Sequence, residues 1–334
     1  MRIPLLALAL TCTAPAALAN DTSAELATGG LVFVANDDIE MRSEKLFISA
    51  KQVRVTYAFF NKSDHDVTIT VAFPLPEIRV ANQDENIAIP TQDPVNIFGF
   101  ATTVDGRPVK TEIEQHVTAH GVDRTQYLRG LGIPLAPYLE ATNKAVEALP
   151  KDKWNEFIGF GLGEITEYDV GKGMQKHLEP RWGLATTYYW KQTFPAKKQT
   201  VIVHQYKPSV GGSVQTSLGS PQSTSQAWYG EYVKKYCIDR ELMTAVQNVR
   251  RASKSEFGAP MGEQRIDYIL KTGANWSGPI ASFELTVDKG APDSLLSFCG
   301  KGARKISPTQ FQWQQSNFKP DGNLSVLILN KMPK

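Results

Sequence analysis

The sequence predicts a mainly β protein: two β-sandwich-like domains, with a helical insertion in the first domain and one helix in the second. Apolar residues recur at every second position in many short segments, and turn-forming residues separate those segments. Helical spacing is confined to a few stretches, and the chain of 334 residues is long enough for two domains.

The first residues have the layout of a secretory signal peptide. Arg2 precedes a short apolar run that starts at Pro4, and Ala17-Leu18-Ala19 has the small residues of a cleavage site. We therefore expect residues 1–19 to be removed by a cut near Ala19, so that the mature protein is periplasmic or secreted. No apolar run reaches the ~18 residues of a membrane span, so we expect no transmembrane segment in the mature chain.

The charge balance does not suit a nucleic-acid-binding protein. The chain has 36 Lys and Arg residues against 34 Asp and Glu residues, a formal charge of +2, and loss of Arg2 lowers that charge by one. The charges are spread along the chain without a basic run. We therefore expect no nucleic-acid partner and no attraction to an anionic membrane surface.

Three pairs of strands are predicted in about the first third of the chain. Alternating apolar residues in 53–59 and 67–73 flank the polar turn Asn61-Lys62-Ser63-Asp64, which predicts an antiparallel hairpin with one buried face. A second hairpin is predicted around Asp105-Gly106. Two further strands are predicted on either side of Asn36-Asp37-Asp38.

With the exception of Tyr189, the segment 182–194 sorts its large side chains to one face of a predicted strand. The residues of that face are Trp182, Leu184, Thr186, Tyr188, Trp190, Gln192 and Phe194. A surface platform that stacks on a ligand would not need this sorting, so we expect these rings to line a core. A turn at 195–198 leads into 199–206, which is predicted to pair back.

Helical spacing of apolar residues occurs in 135–149 and again from Lys151 onwards. We interpret the region of about 122–180 as a helical insertion in the first β-sandwich domain, which is predicted to cover residues 20–212.

The second, smaller β domain is predicted to cover residues 213–334. Residues 211–225 before and at its start have the Gly, Ser, Thr and Gln content of a loop. Asp239 can cap a helix at about 239–253, where the apolar residues again have helical spacing.

Two cysteines remain after removal of the signal peptide, which contains Cys12. In an oxidising compartment Cys237 and Cys299 are expected to form a disulfide. Closing a loop of this length stabilises the fold by ~4 kcal/mol in the chain-entropy description. The alternative, a redox-active pair, normally uses the close spacing Cys-x-x-Cys, which the sequence lacks.

The segments YYWKQTFPA, HQYKPSVGGS, TGANWSGPIASFELTVDKG and SFCG stand out in combination. Together they resemble the bacterial family catalogued as domain of unknown function 4424, and the similarity covers the whole mature chain. The resemblance implies a secreted, periplasmic bacterial protein, and it brings no catalytic residues to carry over.

The segments FNKSDHDVTITVAFPLP, FGFATTVDGRPVKTEI and FPAKKQTVIVHQY follow one another in the N-terminal part. Their order resembles that of the vault/inter-alpha-trypsin β-sandwich domain, which implies that residues 181–207 complete the first sandwich. Proteins with that domain often carry an Asp-x-Ser-x-Ser metal site, and this sequence has none.

No segment predicts a catalytic, cofactor-binding or metal-binding site. His116 and His120 have the spacing of a helical metal site, but the residues before them alternate like a strand, which would separate the two side chains. Asn36-Asp37-Asp38 could hold calcium, although an ordinary turn is expected. The glycines of 159–164 lack the neighbours of a phosphate-binding loop and are expected to end a helix. A catalytic triad assembled from distant segments stays open.

Trp276 lies in a turn-like segment between two predicted strands. It could contact a partner from a loop, or it could pack over the end of the sandwich.

We favour a non-enzymatic binding or structural protein of the cell envelope, without a cofactor and with an unknown protein or glycan partner. The alternative is an envelope hydrolase. Histidines and carboxylates clustered in a deep cleft would favour the hydrolase, and an exposed apolar groove or sheet edge would favour the binding protein.

Overall fold

The computed structural model describes residues 21–27, 30–79, 86–169, 171, 173–255 and 258–332. The predicted signal peptide, residues 1–19, lies outside this part of the chain.

Two large sheets form a sandwich. In spatial order the six-stranded sheet contains β10 (Val122–Asp123), β9 (Glu112–Ala119), β13 (Gly183–Phe194), β5 (Val67–Arg79), β1 (Thr22–Ala27) and β2 (Gly30–Val34). The eight-stranded sheet contains β19 (Arg304–Lys305), β20 (Gln310–Phe318), β17 (Ile280–Asp288), β3 (Ile39–Ser49), β4 (Val53–Asn61), β14 (Gln199–Tyr206), β7 (Ala101–Val104) and β8 (Arg107–Val109). Rings from the two sheets meet in the core, as where the centroids of Phe73 and Tyr206 lie 5.9 Å apart. The mainly β, sandwich-like class is confirmed.

A five-stranded sheet and a two-stranded hairpin complete the strands of the described residues. The five-stranded sheet contains, in order, β18 (Leu295–Phe298), β21 (Leu324–Lys331), β16 (Met261–Tyr268), β15 (Gly211–Ser213) and β6 (Asn86–Ile87). The hairpin pairs β11 (Gly163–Asp169) with β12 (Met174–Pro180). One face of the five-stranded sheet continues the sandwich core through Ile266 and Ile328, and the other face forms a second core around Leu327 and Leu329.

The helices fall into two groups along the chain. They are α1 (Thr125–Gly130), α2 (Glu140–Glu147), α3 (Lys151–Gly159), α4 (Pro221–Thr224), α5 (Ala227–Lys235), α6 (Arg240–Ser253) and a 3-10 helix (Lys271–Asn275). Among the described residues, none of these helices has both the length and the apolar character that a membrane crossing requires.

The rings of the segment 182–194 line the core, as their alternation predicts. Trp182, Tyr188 and Trp190 are 2%, 0% and 4% exposed, respectively, and the partner strands β5 and β9 flank them in the six-stranded sheet. The sorted face therefore packs inside the sandwich, and it is no ligand platform.

Two predicted hairpins are wrong, although their strands exist. β4 pairs with β3 and β14, whereas β5 pairs with β1 and β13 in the opposite sheet. β13 and β14 are likewise in opposite sheets, so the turn at 195–198 connects the two layers. Alternation shows which face of a strand is buried, but it does not show which strand lies beside it. The hairpin around Asp105-Gly106 is present, because β7 pairs with β8.

The chain crosses between the layers at Asn61. The Nδ2 group of this buried side chain donates to the carbonyls of His65 and Phe194 at 2.8 and 2.9 Å, and its Oδ1 accepts from the Ser63 backbone N–H. These bonds satisfy the backbone groups of a connection that belongs to neither sheet.

Strand pairing crosses the predicted boundary at residue 212. β17 lies parallel to β3 in the eight-stranded sheet, and β6 pairs with β15 in the five-stranded sheet. The other pairings of the described strands are antiparallel. Segments on both sides of the boundary thus share sheets, and a division into two domains there stays a prediction.

The helical regions contain more elements than their sequence patterns indicate. In the segment of about 122–180, α1 and the β11–β12 hairpin accompany the predicted helices. The helix predicted at about 239–253 is α6, and Asp239 caps it by accepting the Leu242 N–H at 2.8 Å. Two short helices, α4 and α5, precede α6.

Candidate functional site

The candidate site is built on α5, whose aromatic side chains form a row. Trp228, Tyr232 and Tyr236 are spaced by four residues, which places them on one side of a helix. The ring centroids of Trp228 and Tyr232 lie 5.9 Å apart, and those of Tyr232 and Tyr236 lie 5.0 Å apart. Burial increases along the row: Trp228 is 46% exposed, whereas Tyr236 is 2% exposed. Trp228 is therefore the solvent-exposed end of the row, and Tyr236 is its buried end.

The disulfide anchors the buried end of this row. Cys237 lies two residues after the end of α5 and is bonded to Cys299, 62 residues further along the chain, with a Cα–Cα distance of 5.1 Å. The Ser297 hydroxyl donates to the Tyr236 carbonyl at 2.8 Å, beside the disulfide. The C-terminal end of α5 is therefore tied to β18 both covalently and by a hydrogen bond.

A groove of about 660 Å³ runs between α5 and the sheets. Its other walls come from the end of β5, from β6 and β15, and from β16. The lining residues are Pro76, Glu77, Ile78, Arg79, Ile87, Ser209, Gly211, Trp228, Glu231, Tyr232, Lys235, Tyr236, Arg265 and Asp267. A concave site of this size is typical of small-ligand pockets.

The charged groups of the groove are balanced. Three carboxylates and three cationic side chains line it. Arg79 is paired with Glu77 at 2.5 Å, and Lys235 is paired with Asp267 at 3.2 Å. Glu77 also accepts a hydrogen bond from Thr118 at 3.0 Å. The groove is therefore rich in donors and acceptors but close to electrically neutral.

Sequence reasoning missed this groove. The four-residue spacing of Trp228, Tyr232 and Tyr236 was the available signal, but the loop-like composition of 211–225 directly before it obscured the helix. The remaining walls could not be found from local patterns, because β5 and β16 are distant in the chain.

Trp276, the candidate partner contact, requires correction. Its side chain is 3% exposed, and its ring centroid lies 4.6 Å from that of Phe59. The indole N–H donates to the Asp21 carbonyl at 2.6 Å. Trp276 therefore packs over the end of the sandwich, which was the other alternative for this residue. Its burial is possible because the indole N–H finds a backbone acceptor, the Asp21 carbonyl.

A polar centre lies inside the sandwich around His204. Its Nδ1 is 2.9 Å from the Thr102 hydroxyl, and its Nε2 is 2.9 Å from Asp21 Oδ1. The imidazole ring stacks on Phe100 at 5.1 Å. Burial raises the pKa of the Asp21 carboxyl above its ordinary value, although the adjacent His204 acts to lower it. The three groups have the hydrogen-bonded order of a catalytic triad, but His204 and Asp21 are 0% exposed. Substrate cannot reach them in this conformation.

The other candidate segments have structural roles. His116 lies on β9 and contacts Asp123 Oδ2 at 2.9 Å, and His120 follows the end of that strand. Among the described residues, no group of three or more potential metal ligands is found. Asn36 Oδ1 accepts the backbone N–H groups of Asp38 and Ile39, which makes this segment a turn. Gly161, with φ of +74°, ends α3.

Comparison with known proteins gives a family and weak likenesses to solved structures. No curated protein matches the chain. A crystal structure from Legionella pneumophila, described as a candidate nutrient binding protein, is 15% identical and has a TM-score of 0.44. The match covers 93% of this chain and 70% of that one. A likeness at this level supports no conclusion about fold or ligand. The family model described as a domain of unknown function (DUF4424) matches residues 19–327. The chain therefore belongs to the DUF4424 family, as the sequence motifs predict.

Proposed function

We propose that this is an exported, non-enzymatic binding protein that holds an uncharged oligosaccharide in the groove beside α5. The observation that carries the proposal is Trp228, an indole that is 46% exposed at the open end of a row of rings. A large aromatic side chain at the surface lowers solubility, so its exposure suggests that it contacts a ligand. Trp and Tyr are enriched at sites where one side of the residue meets an apolar surface and the other meets water.

The shape of the row suits a sugar. A pyranose ring has an apolar C–H face and a polar edge of hydroxyl groups. Stacking of the C–H face on Trp228 would direct the hydroxyls toward Glu231, Lys235 and Asp267, which line the same groove. These groups supply both donors and acceptors.

The balanced charge of the groove favours a neutral ligand over a charged one. The Arg79–Glu77 and Lys235–Asp267 pairs balance their own charges, so the groove offers a charged ligand no excess of opposite charge. The concave shape also favours a small ligand over a protein, because stable protein interfaces bury about 800 Å² on each partner.

Export to the periplasm or beyond belongs to the same proposal. The layout of residues 1–19 and the Cys237–Cys299 disulfide support it, because disulfides persist in oxidising compartments. Cell fractionation with N-terminal sequencing of the mature protein tests it. A protein that retains Met1 and stays in the cytoplasm would contradict it.

Binding can be tested by titrating the mature protein with tetramers of N-acetylglucosamine and of glucose while recording tryptophan fluorescence. We expect a blue shift as the Trp228 indole leaves water, and at least tenfold weaker binding by Trp228→Ala, about 1.4 kcal/mol. Met174→Ala removes another exposed apolar side chain, 69% exposed, from β12, which does not line the groove, and is the matched control. The glycan proposal would be overturned if neither sugar bound, or if Trp228→Ala bound the sugars with the same affinity as the wild type.

The hydrolase alternative makes a different prediction. Asp21, Thr102 and His204 do come together from distant segments, but their burial argues for a structural centre. Turnover of a substrate in an activity screen, abolished by a substitution in the groove such as Glu231→Gln, would replace the binding proposal with an enzymatic one.

A further inference from the structure

A second cleft, far from α5 in sequence, lies between α2 and the β11–β12 hairpin. It encloses about 500 Å³, and its lining includes Tyr138, Lys144, Glu147, Tyr168, His177 and Glu179. None of these residues takes part in the groove beside α5.

Glu147, at the end of α2, is held in one orientation. Its Oε2 accepts the Leu178 backbone N–H at 3.1 Å, and its Oε1 lies 3.3 Å from His177 Nδ1. Helix and hairpin together thus fix one carboxylate at the cleft, with lone pairs left for a further donor.

Two tyrosine rings form the aromatic part of the cleft. Tyr168 stacks on His177 with a centroid distance of 4.0 Å and an angle of 12° between the ring planes. Tyr138, which precedes α2, has φ of +64°, a left-handed conformation that is unusual for an aromatic residue. The pKa of each hydroxyl is raised, first by burial and also by nearby carboxylates, with Glu179 acting on both.

The fixed charges of the cleft are unequal. With histidine counted as neutral, Glu147 and Glu179 oppose the single ammonium group of Lys144. Lys144 points to Glu140, outside the cleft, with Nζ 2.5 Å from Oε1. Among the described residues, Glu179 forms no salt bridge with a cationic side chain. Arg181, the cation beside Tyr138, is bound by Glu164.

We propose that this cleft binds a small organic ammonium ion, with Glu147 and Glu179 supplying negative charge and Tyr138 and Tyr168 supplying ring faces. Carboxylates next to aromatic rings are the combination that favours an alkylated ammonium group, because the ring quadrupole attracts a cation that water solvates weakly. The cleft is a second site, independent of the groove beside α5.

The test is calorimetric titration of the mature protein with choline and with ethanolamine, which separate a quaternary from a primary ammonium group. 3,3-Dimethyl-1-butanol, the uncharged carbon analogue of choline, is the ligand control. We expect at least one of the two cations to bind, and the uncharged analogue to bind at least about tenfold more weakly. Glu147→Gln and Glu179→Gln should each weaken binding by about tenfold, whereas Asp152→Asn, an exposed carboxylate on α3 that does not line the cleft, should not.

Thermal melting of each variant shows whether it is folded. We expect Glu147→Gln to fold, because the glutamine amide oxygen can still accept the Leu178 backbone N–H. Trp228→Ala should leave ammonium binding unchanged, so the two sites can fail separately. No binding of either cation up to about 10 mM, equal affinity for the uncharged analogue, or unchanged binding by both folded Gln variants would overturn the proposal.

Discussion

Asp21 and His204 meet at the centre of the sandwich although 183 residues separate them in the chain. Asp21 also receives the Trp276 indole N–H on its backbone carbonyl. One residue at the start of β1 thus joins the six-stranded sheet, the eight-stranded sheet and the loop before β17. A buried acid is costly unless its contacts compensate the loss of water, so this centre makes the fold sensitive to the charge of Asp21.

The pH dependence of unfolding should reveal the raised pKa of Asp21. An acid with a higher pKa in the folded state binds more protons there, so its contribution to stability is present below its ordinary pKa of 3.8 and is lost as pH rises through the folded value. Over a pH range that starts below 3.8 and extends above it, we expect the free energy of unfolding of the wild type to fall relative to that of Asp21→Asn as pH rises. Urea unfolding of both proteins across this range checks it, and other carboxylates cancel in the difference. If the free energy of unfolding of the wild type instead rises relative to that of Asp21→Asn as pH increases, the effect of pairing with His204 on the Asp21 pKa outweighs the effect of burial.

At the scale of elements, α5 depends on the covalent link at its end. It is nine residues long, no side chain caps its N-terminus, and none of its residues is fully buried. A short helix of this kind has little stability of its own, so its position rests on tertiary contacts and on the disulfide.

Removal of the disulfide should therefore affect both stability and binding. For the Cys237→Ser, Cys299→Ser double variant we expect a loss of about 4 kcal/mol in the free energy of unfolding, measured in urea. Oligosaccharide affinity should also fall, because the row of rings is no longer anchored at Tyr236. Dithiothreitol should lower the stability of the wild type and leave the double variant unchanged. Equal stability of the two proteins without reductant would show that the bond does not support the fold.

Elements whose stabilising residues are close in sequence were predictable, and others were not. The helix α6 could be placed because Asp239 and the periodic apolar residues that follow it lie within one segment. The strands β4, β5, β13 and β14 could be placed from alternation, but their pairing was predicted wrongly. An arch that crosses between layers and a hairpin within one layer bury the same faces, so Val53 or Phe73 is apolar in either case.

At the scale of the whole molecule, strands from both ends of the chain are needed to complete the large sheets. β17 covers the edge of β3, and a single continuous core includes Val55, Tyr188 and Phe283. A fragment that stops near residue 212 would expose a strand edge and a large apolar surface in the middle of the sandwich.

We therefore expect residues 20–212 alone not to fold cooperatively, although the sequence suggests a domain there. Circular dichroism and a hydrophobic dye during heating should show a broad, dye-binding state for the fragment and a sharp transition for the mature chain. A sharp transition of the fragment would establish it as an independent domain and support the predicted boundary.

The sequence by itself determined the mainly β class, the burial of Trp182, Tyr188 and Trp190, the helix after Asp239 and membership of the DUF4424 family, because each depends on period, capping or motifs within short segments. Only the tertiary structure decided that Trp276 is buried, that His204 meets Asp21, and where the groove and the cleft lie. These features join residues from distant segments, and which segments become neighbours depends on the free energy of packing the whole chain.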